Sequence, residues 1–254
     1  MPEQPTTAVP VYAVSDVHGH LDDLRRGLQE AGLVDTDEDW CGGEAQLWVL
    51  GDLLDRGPDG IGVVRFLRRL QDQAPDHVHV LLGNHEVLAL GTWLHPGGAF
   101  DGAWRRNGGV AADQAGLSPD DIAWLRLLPA VARVGDHLLV HSDTDLYLQW
   151  GDTVADVNAT AARLVSGGEA QLAEAWRVLT SRMRFTGRKG AERAGRLLEA
   201  LGGRQVVHGH TIVALIAGRD VEQPVEYAGG RALAIDGGRY GGGPLLVVRL
   251  DPVV

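Results

Sequence analysis

The amino-acid sequence predicts an α/β protein, and two observations indicate this class. Short apolar segments rich in β-branched residues alternate with longer segments that repeat apolar residues at helical spacing, which is the pattern of successive β-α-β units. The chain has 254 residues, of which 44% are hydrophobic, so it can bury a full core. A chain of this length and class commonly forms one domain, and we expect residues 1–254 to be a single domain.

Seven segments are predicted as β-strands. Each is a short apolar run, and most end near glycine, asparagine, aspartate or histidine, where a strand gives way to a loop. The predicted strands are residues 9–15, 46–50, 77–82, 137–141, 204–208, 231–235 and 245–250.

Helices are predicted between these strands. After the first strand, Leu21, Leu24 and Leu28 fall on one helical face. Residues 59–72 repeat isoleucine, valine and leucine at nearly the same spacing, with arginines on the remaining surface. Both segments therefore predict amphipathic helices that pack against a sheet.

Two further segments complete the predicted organisation. In "SPDDIAWLRLL", Ser118 is followed three residues later by Asp121, a variant of the capping box that begins a helix. Residues 153–200 are mostly helical in pattern, and we interpret them as a helical insertion or cap on the same domain. The glycine-rich stretches "GGAFDGAWRRNGG" and "DGGRYGGG" are predicted as loops.

Charge and termini restrict the classes of function. A formal net charge of −11 argues against non-specific binding to nucleic acid or to anionic membranes, because both require clustered lysine and arginine. The opening "MPEQPTTAVP" has no basic leader segment, and no apolar run approaches the roughly 20 residues that span a bilayer. We therefore expect a cytoplasmic protein. The single Cys41 has no second cysteine to pair with and is given no role.

Polar residues end five of the predicted strands. In α/β sheets the carboxyl ends of strands are where sites assemble, so these residues are expected to converge. Aspartate, asparagine and histidine offer mixed oxygen and nitrogen donors, which suit divalent Mn, Fe, Zn or Co. One such fragment alone is typical of a helix cap or a turn, but five in series predict a metal site. The residues at these strand ends are Asp16, His18, Asp52, Asn84, His85, His141, His208 and His210.

These motifs resemble, in order and context, those of the calcineurin-like metallophosphoesterases, and more narrowly the phosphoprotein phosphatase branch. The matching segments are "SDVHG", "GDLLDRG", "GNHE", "VHSD" and "HGHT", together with "WRRNGG", which is similar to a W-x-x-N-G-G segment of bacterial members. The resemblance extends from about residue 11 to 250. It implies two mixed β-sheets packed as a sandwich and flanked by helices, the four-layer fold of this family.

The resemblance also implies a dinuclear metal centre. Asp16 and His18 would hold the first divalent ion, and Asp52 would bridge both ions. Manganese is the expected metal, with Fe, Zn, Co or Ni as alternatives. Two bridged cations lower the pKa of a shared water, which can then attack phosphorus in line with the leaving group. The remaining implied ligands, which complete the second metal site, are Asn84, His141 and His210.

Three further residues take catalytic roles by the same resemblance. His85 would be the general acid that protonates the leaving oxygen, and Asp55 would orient and charge its imidazole. Arg56 would hold the phosphoryl oxygens, a task that suits a planar bidentate donor.

Two positions depart from the patterns of related groups. Asp143 stands where eukaryotic members have glycine, and two interpretations are open: it orients a ligand or a substrate cation, or it caps the following turn. Ile212 replaces the extra metal-binding histidine of nuclease-like members, which favours the phosphatase branch. His208 is either a support for a ligand or a structural residue.

The segment "TSRMRFTGRKG" resembles symmetrical dinucleoside tetraphosphatases. Arg182 and Arg184 are candidates for a second phosphate clamp, but residues two apart diverge by about 200° on a helix, so only one is expected to face the metals. The alternative is a basic cluster at a helix terminus. Trp93, Phe100 and Trp104 are candidates for a lid over the substrate, or for core residues.

Three functions follow from these observations. The leading hypothesis is a metal-dependent phosphatase that hydrolyses phosphoserine, phosphothreonine or a small phosphorylated metabolite. The first alternative is a symmetrical dinucleoside tetraphosphate hydrolase. The second is a non-catalytic binding module on the same fold, which the presence of every implied ligand together with the acid and its carboxylate partner disfavours.

Overall fold

The computed structural model describes residues 9–253. The first eight residues, on which part of the expectation about the N-terminus depends, lie outside the described residues, as does residue 254. The strands are β1 (Val11–Val14), β2 (Gln46–Val49), β3 (Val78–Val80), β4 (Val131–Val134), β5 (His137–Val140), β6 (Gln205–Ile212), β7 (Val225–Tyr227), β8 (Ala232–Asp236) and β9 (Val247–Leu250). The α-helices are α1 (Leu21–Glu30), α2 (Gly60–Gln73), α3 (Asn84–Leu94), α4 (Ala99–Arg106), α5 (Ala111–Gly116), α6 (Pro119–Leu125), α7 (Val154–Val165), α8 (Glu169–Leu179), α9 (Gly190–Leu201) and α10 (Val213–Ala217).

The strands form two mixed sheets. The first sheet has the order β3-β2-β1-β9, in which β1, β2 and β3 are parallel and β9 is antiparallel to β1. The second sheet has the order β4-β5-β6-β8-β7, in which β5, β6 and β8 are parallel and the two edge strands are antiparallel to their neighbours. This architecture confirms the predicted fold class.

Two separate hydrophobic clusters show how the layers pack. The smaller cluster lies between the sheets, since alternate residues of the strands in both sheets point into it. The larger cluster joins the opposite faces of the sheets to the helices. The smaller cluster consists of Ala13, Leu50, Leu81, Ala132, Leu139, Val207, Ile235 and Leu250.

The helical character predicted for residues 153–200 is confirmed, because α7, α8 and α9 occupy most of that segment between β5 and β6. Helix α7 packs near β4, whereas α8 packs against α3. The capping box of α6 is also present: the hydroxyl of Ser118 accepts a hydrogen bond from the N–H of Asp121, whose carboxylate accepts one from the N–H of Ser118. None of the helices within residues 9–253 is both long and apolar enough to cross a bilayer.

Three sequence-based predictions about secondary structure were wrong. Strands β4 and β7 were missed because they are edge strands of only four and three residues. The stretch 97–109, predicted as a loop, contains helix α4, whose buried Phe100 and Trp104 outweigh the weak helix propensity of its glycine. Strand β6 continues to Ile212, so His208 and His210 lie within this strand instead of at its end.

The lid predicted from aromatic residues is not formed by two of its three candidates. Phe100 and Trp104 are only 4% and 7% exposed. The ring of Phe100 lies against Gly91 of α3, where any larger residue would collide with it. Trp93 is partly buried and packs against the same core. The core interpretation of Phe100 and Trp104 therefore holds.

Candidate metal centre and active site

Strained backbone marks the place where the strands end. Within residues 9–253, nine residues other than glycine have positive φ angles, and most of them belong to the predicted site. This conformation costs about 1–3 kcal/mol for such residues and persists only where surrounding contacts enforce it. The site members with positive φ are Asp16, His18, Asp52, Asp55, Arg56 and His210. The turns after β1 and β2 and the irregular part of β6 therefore hold their side chains in fixed directions.

Four buried side chains bring their ligand atoms within 4.8 Å of one another: Asp16, Asp52, His141 and His210. The first sheet supplies the two carboxylates, and the second sheet supplies the two imidazoles. A hydrogen bond connects the two sheets at this point: Asp16 Oδ2 accepts from the N–H of His210 at 2.8 Å. Residues from four distant parts of the chain thus form one cluster.

A second group shares one member with the first. His18, Asp52 and His85 also offer ligand atoms within 4.8 Å of one another, and His18 Nε2 lies 3.5 Å from Asp52 Oδ2. The other oxygen of Asp52 lies 3.4 Å from His141 Nε2. Asp52 therefore lies between the two groups, as expected of a bridging ligand, and Asn84 Oδ1 lies 2.9 Å from His141 Nε2.

The imidazoles of three predicted ligands have one ring nitrogen engaged by the backbone. His18 Nδ1 lies 2.9 Å from the carbonyl of Leu54, and His141 Nδ1 lies 2.8 Å from the carbonyl of Leu50. In each case a carbonyl can only accept, so this nitrogen carries the proton and Nε2 keeps the lone pair that a metal ion requires. The same contacts are typical of metal-binding histidines in proteins. The donor set therefore fits divalent metal ions.

His210 uses its other nitrogen in the same way. Its Nε2 lies 3.1 Å from the carbonyl of Thr180, which leaves Nδ1 directed to the cluster. The preceding Gly209 is required here, because a Cβ atom at this position would lie 1.7 Å from Ser15 Oγ and 2.2 Å from Asp16 Oδ2. Close approach of β6 to the turn after β1 thus explains the glycine of the "HGH" segment.

Burial shifts the ionisation of these groups. It lowers the pKa of His18 and of His210 well below the ordinary value, with a further lowering from neighbouring histidines. Burial and the nearby Asp16 carboxylate raise the pKa of Asp52 well above its ordinary range. Neutral imidazoles are the form that binds metal, while crowded carboxylates without a compensating cation are unfavourable. Both shifts fit a group of side chains that binds cations.

His85 has the arrangement of a proton donor. Its Nδ1 lies 2.7 Å from Asp55 Oδ2, whereas its Nε2 is buried and has no hydrogen-bond partner among the described residues. Burial, and then the charge of Arg56, lowers the pKa of His85. Burial raises the pKa of Asp55 to about 6. An ionised Asp55 would favour the protonated form of His85, so the two groups act as a pair.

The "WRRNGG" segment holds this pair in place. The indole Nε1 of Trp104 donates to Asp55 Oδ1 at 2.9 Å, and the N–H of Val110 donates to the same oxygen at 3.2 Å. Asp113 accepts from the N–H of Asp55 at 3.1 Å. The sequence showed that this segment is similar to one in bacterial family members, but it did not show what the segment does. In the structure these contacts orient the carboxylate that lies next to His85.

Arg56 is held by the same segment and by an aromatic ring. Its Nε donates to the carbonyl of Asn107 at 3.2 Å, and its Nη1 lies 3.0 Å from His18 Nε2. The guanidinium lies over the ring of Tyr240, with 4.1 Å between the central carbon and the ring centroid. Arg56 thus lies at the mouth of the cluster, and Tyr240, which is 43% exposed, forms part of the rim.

The two arginines of "TSRMRF" lie in different surroundings. Arg184 forms an ion pair with Asp145 at 2.5 Å, which engages its guanidinium. Arg182 is exposed and has no ion pair among residues 9–253, and its charge contributes to the lowered pKa values of His85 and His210. Only Arg182 therefore faces the candidate metal centre.

Asp143 and His208, whose roles were open, are both fully buried. Asp143 accepts hydrogen bonds from Thr211 and from the N–H of Met183, and it has no exposed surface for a substrate. His208 lies between Gly209 and Tyr227, whose hydroxyl is 2.7 Å from His208 Nε2. Both residues therefore stabilise the surroundings of the site and are not exposed to a substrate.

Two further residues of the site were missed in the sequence. Glu86 is fully buried and accepts from the N–H groups of Asp52 and Gly83 at 2.8 and 2.9 Å, which fixes the two turns against each other. Asp236 ends β8, and burial together with the charge of Asp16 raises its pKa well above the ordinary range. Asp236 follows an apolar run like the other strand-end residues, so the same rule would have found it.

The two-sheet fold and the buried cluster of metal-binding groups agree with the comparison to known protein families. The chain belongs to the calcineurin-like phosphoesterase family, whose model matches residues 9–214. This match includes every predicted site residue, from Asp16 to His210.

Curated relatives differ in their named activities. A symmetrical bis(5'-nucleosyl)-tetraphosphatase of Aromatoleum aromaticum is 33% identical over 135 residues, which is 52% of this chain and 43% of that protein. Shewanella-like protein phosphatase 2 of Arabidopsis thaliana is 34% identical over 83 residues, 32% of this chain and 21% of that protein. The aligned part therefore spans less than half the length of either relative.

Solved structures share the fold over nearly the whole chain. A cold-active protein-tyrosine phosphatase of a psychrophilic Shewanella species matches with a TM-score of 0.73 and 24% identity, covering 96% of this chain and 75% of that one. A putative diadenosine tetraphosphatase matches with a TM-score of 0.57 and 19% identity, covering 97% and 96%. At these identities the likeness concerns the fold alone.

Proposed function

We propose that this protein hydrolyses phosphomonoesters at a dinuclear metal centre. One observation carries the proposal: His85 directs an unpartnered buried Nε2 from a site that also holds the metal-ligand cluster, while its Nδ1 contacts Asp55 at 2.7 Å. A buried nitrogen without a partner is costly unless a ligand completes it. The leaving oxygen of a phosphoester is a suitable partner when the imidazole is protonated.

The residues proposed to hold the two ions are those that the resemblance implies. His18 and Asp16 would bind the first ion, Asp52 would bridge, and the second ion would take Asn84 and two histidines. Oxygen and nitrogen donors in this mixture suit Mn²⁺, with Fe, Zn, Co or Ni as alternatives. Two bound cations supply an activated water and positive charge next to the phosphoryl oxygens. The two histidines proposed for the second ion are His141 and His210.

The protein's own groups account for the rest of the chemistry. Arg56 would donate from its guanidinium to the phosphoryl oxygens, and Arg182 would do so from the opposite rim. His85, protonated on both nitrogens, would give its Nε2 proton to the leaving oxygen. The Nδ1 proton would stay on the ring and be donated to Asp55, which leaves His85 in the neutral state that burial favours.

The charges around the cluster favour a substrate with one phosphoryl group. Arg184 is engaged by Asp145, which leaves Arg56 and Arg182 as the free cations at the mouth among the residues described. The groove next to "DRGPDG", a cavity of about 420 Å³, carries the carboxylates of Asp22, Asp23 and Asp59. Arg25 and Arg239 also line this groove, but they form ion pairs with Asp22 and Asp23, so a polyphosphate chain extending into it would meet no unpaired cation among the described lining residues. Phosphoserine, phosphothreonine or a small phosphorylated metabolite needs no further cation there.

A second candidate function is symmetrical hydrolysis of dinucleoside tetraphosphates. The observation that favours it is the 33% identity with the tetraphosphatase of Aromatoleum aromaticum across the shared half of the chain. This reaction needs cations beyond the metal centre, because a tetraphosphate bridge carries several further charged oxygens. Arg182 and Arg184 would have to supply them, and Arg184 would first have to leave Asp145.

A substrate panel separates the two candidates. Protein loaded with Mn²⁺ is assayed against a phosphoserine peptide, sugar phosphates, an aryl phosphate and a dinucleoside tetraphosphate at fixed ionic strength. We expect kcat/KM to be highest for a phosphomonoester. Efficient tetraphosphate cleavage that falls on replacing Arg182 and Arg184 together by alanine, with aryl phosphate hydrolysis nearly unchanged, would support the second function instead. No turnover of any substrate with metal bound would contradict both.

A further inference from the structure

The segment after β5 is bonded to the loop that carries Arg182. The carboxylate of Asp143 is fully buried, and each of its oxygens has a partner. Oδ2 accepts from the N–H of Met183 at 2.7 Å, and Oδ1 accepts from the hydroxyl of Thr211 at 2.6 Å. Because no surface of this carboxylate is open, Asp143 cannot contact a substrate directly.

The backbone on both sides of Arg182 is fixed by this arrangement. The carbonyl of Asp143 also accepts from the N–H of Arg184 at 3.1 Å, so one residue satisfies two consecutive backbone donors. Before Arg182, the carbonyl of Thr180 accepts from His210 Nε2 at 3.1 Å. Met183 has a φ of 61°, a conformation that needs such contacts to persist in a residue other than glycine.

The two arginines of this loop have different surroundings. The guanidinium of Arg184 is held by Asp145 at 2.5 Å, and the same carboxylate pairs with the half-exposed Arg196 at 3.2 Å, so we call Asp145 the outer anchor of the loop. Arg182 is exposed, and its charge acts on His85 and His210 at the mouth of the cluster. A loop that lost its inner anchor would lose the direction of Arg182 before it lost any contact within the cluster.

We propose that Asp143 is a positioning residue that aims Arg182 at the phosphoryl group of the substrate. This inference rests on the proposed function, since it assumes that phosphoryl groups bind at the cluster. A carboxylate is needed at this position because both partners are donors. An asparagine could accept from Thr211 through its oxygen, but its NH₂ group would then face the N–H of Met183, and two donors cannot pair.

The first test is Asp143→Asn in the full chain loaded with Mn²⁺. We expect KM for an aryl phosphate and the Kd for inorganic phosphate, measured by calorimetry, to rise on the order of tenfold, because a charge-assisted contact to the phosphoryl group is weakened. kcat should change less than about threefold, and the metal content per chain should stay the same. Unchanged KM and phosphate affinity would overturn the proposal, as would loss of bound metal.

A double-mutant cycle tests whether Asp143 acts through Arg182. Arg182→Ala alone should raise KM and the phosphate Kd by a similar factor. In the Arg182→Ala background, Asp143→Asn should then cost less than about a further twofold, because the guanidinium that it positions is gone. Full additivity of the two replacements would show that Asp143 acts by another route and would contradict the inference.

Matched controls keep a structural role separate from a positioning role. Asp145→Asn removes the outer anchor of the same loop, and we expect its KM to stay within about twofold of the unaltered protein. Thr211→Val removes one hydrogen bond to Asp143 and should raise KM by less than Asp143→Asn does. Thr211→Ser keeps the hydroxyl, and its KM should equal that of the unaltered protein. If Asp143→Asn does not fold, the Thr211 pair decides the question, and equal KM values for the two variants would overturn the proposal.

Failure of this inference is distinguishable from failure of the proposed function. The unaltered protein must first hydrolyse a phosphomonoester and bind inorganic phosphate, and its failure to do so would contradict the function. If the unaltered protein does both while Asp143→Asn and Thr211→Val behave like it, the function stands and the positioning role is contradicted.

Discussion

The buried metal-ligand cluster and the exposed rim around it are built differently. In the cluster, Asp16, Asp52 and His18 are at most 2% exposed and have positive φ angles. At the rim, Arg182 and Tyr240 are exposed, and the ring of Tyr240 lies against Arg56 and His18. The cluster is thus fixed by the backbone of two sheets, whereas the rim depends on side chains of loops.

This difference separates two questions about the enzyme. Under the proposed function, the buried ligands and the His85–Asp55 pair would determine which bond is broken, and catalytic geometry of this kind admits little variation. The rim would determine which molecule carries that bond, because a substrate would meet it beyond the phosphoryl group. We therefore expect replacements in the cluster to affect all substrates, and replacements at the rim to affect them unequally.

The largest effect is expected for Asp52→Asn. This replacement removes the carboxylate shared by both groups of ligand atoms, and breaking a buried charge interaction costs about 3–5 kcal/mol. At 1.4 kcal/mol per factor of ten, kcat/KM should fall roughly 10³-fold for every phosphoester tested. Parallel assays with an aryl phosphate and a phosphoserine peptide check this. Undiminished turnover after treatment with a chelator would contradict the metal-dependent account.

The next effect is expected for His85→Ala and should depend on the leaving group. Loss of general acid catalysis lowers kcat by on the order of 10²–10⁴-fold on substrates with poor leaving groups. Activated aryl phosphates, whose leaving oxygen needs no proton, should be spared. A series of phosphoesters with leaving groups of graded pKa provides the measurement. Equal loss across the series would assign His85 to structure or to metal binding.

A smaller effect concerns the pH dependence. Burial raises the pKa of Asp55 to about 6, and only the ionised carboxylate stabilises a protonated His85. kcat/KM on a poor leaving group should therefore increase as pH rises through about 6. Trp104→Phe removes a donor that favours the ionised form, so this limb should move to higher pH. Profiles of both proteins from pH 5 to 8 test the shift, and a limb that stays in place would exclude this role of Trp104.

The smallest effect is expected for Arg184→Ala. Because this guanidinium is already paired with Asp145, kcat/KM for phosphomonoesters should stay within about twofold of the original value. Arg182→Ala serves as the matched comparison on the inner side of the same loop and should cost on the order of tenfold. Equal losses for the two variants would show that Arg184 turns to the substrate during turnover.

The sequence was sufficient to place the residues that end apolar strands. Asp16, Asp52 and Asn84 follow β1, β2 and β3, and the convergence of sites at the carboxyl ends of strands predicts that the three side chains lie together. The resemblance then supplied roles for these residues. The strand-end rule and the family resemblance are both informative where the end of a strand determines the position of a side chain.

The sequence was not sufficient where a contact depends on tertiary packing. Nothing local shows that Trp104 donates to Asp55 across 49 positions, or that Asp143 bonds to Met183 across 40. Short edge strands such as β4 and β7 bury too few residues to leave a clear apolar pattern. Helix α4 was missed because its glycine and polar residues conceal a buried face, which only the packing of its aromatic residues reveals.

The number of metal ions bound per chain is the most direct test of the proposed dinuclear centre. The protein is loaded with Mn²⁺, dialysed and analysed by elemental mass spectrometry together with Asp52→Asn and His85→Ala. The account predicts two ions per chain for the unaltered protein and for His85→Ala, because His85 is assigned to proton transfer, and fewer than two for Asp52→Asn. One ion or none in an active unaltered protein, or loss of an ion from His85→Ala, would contradict it.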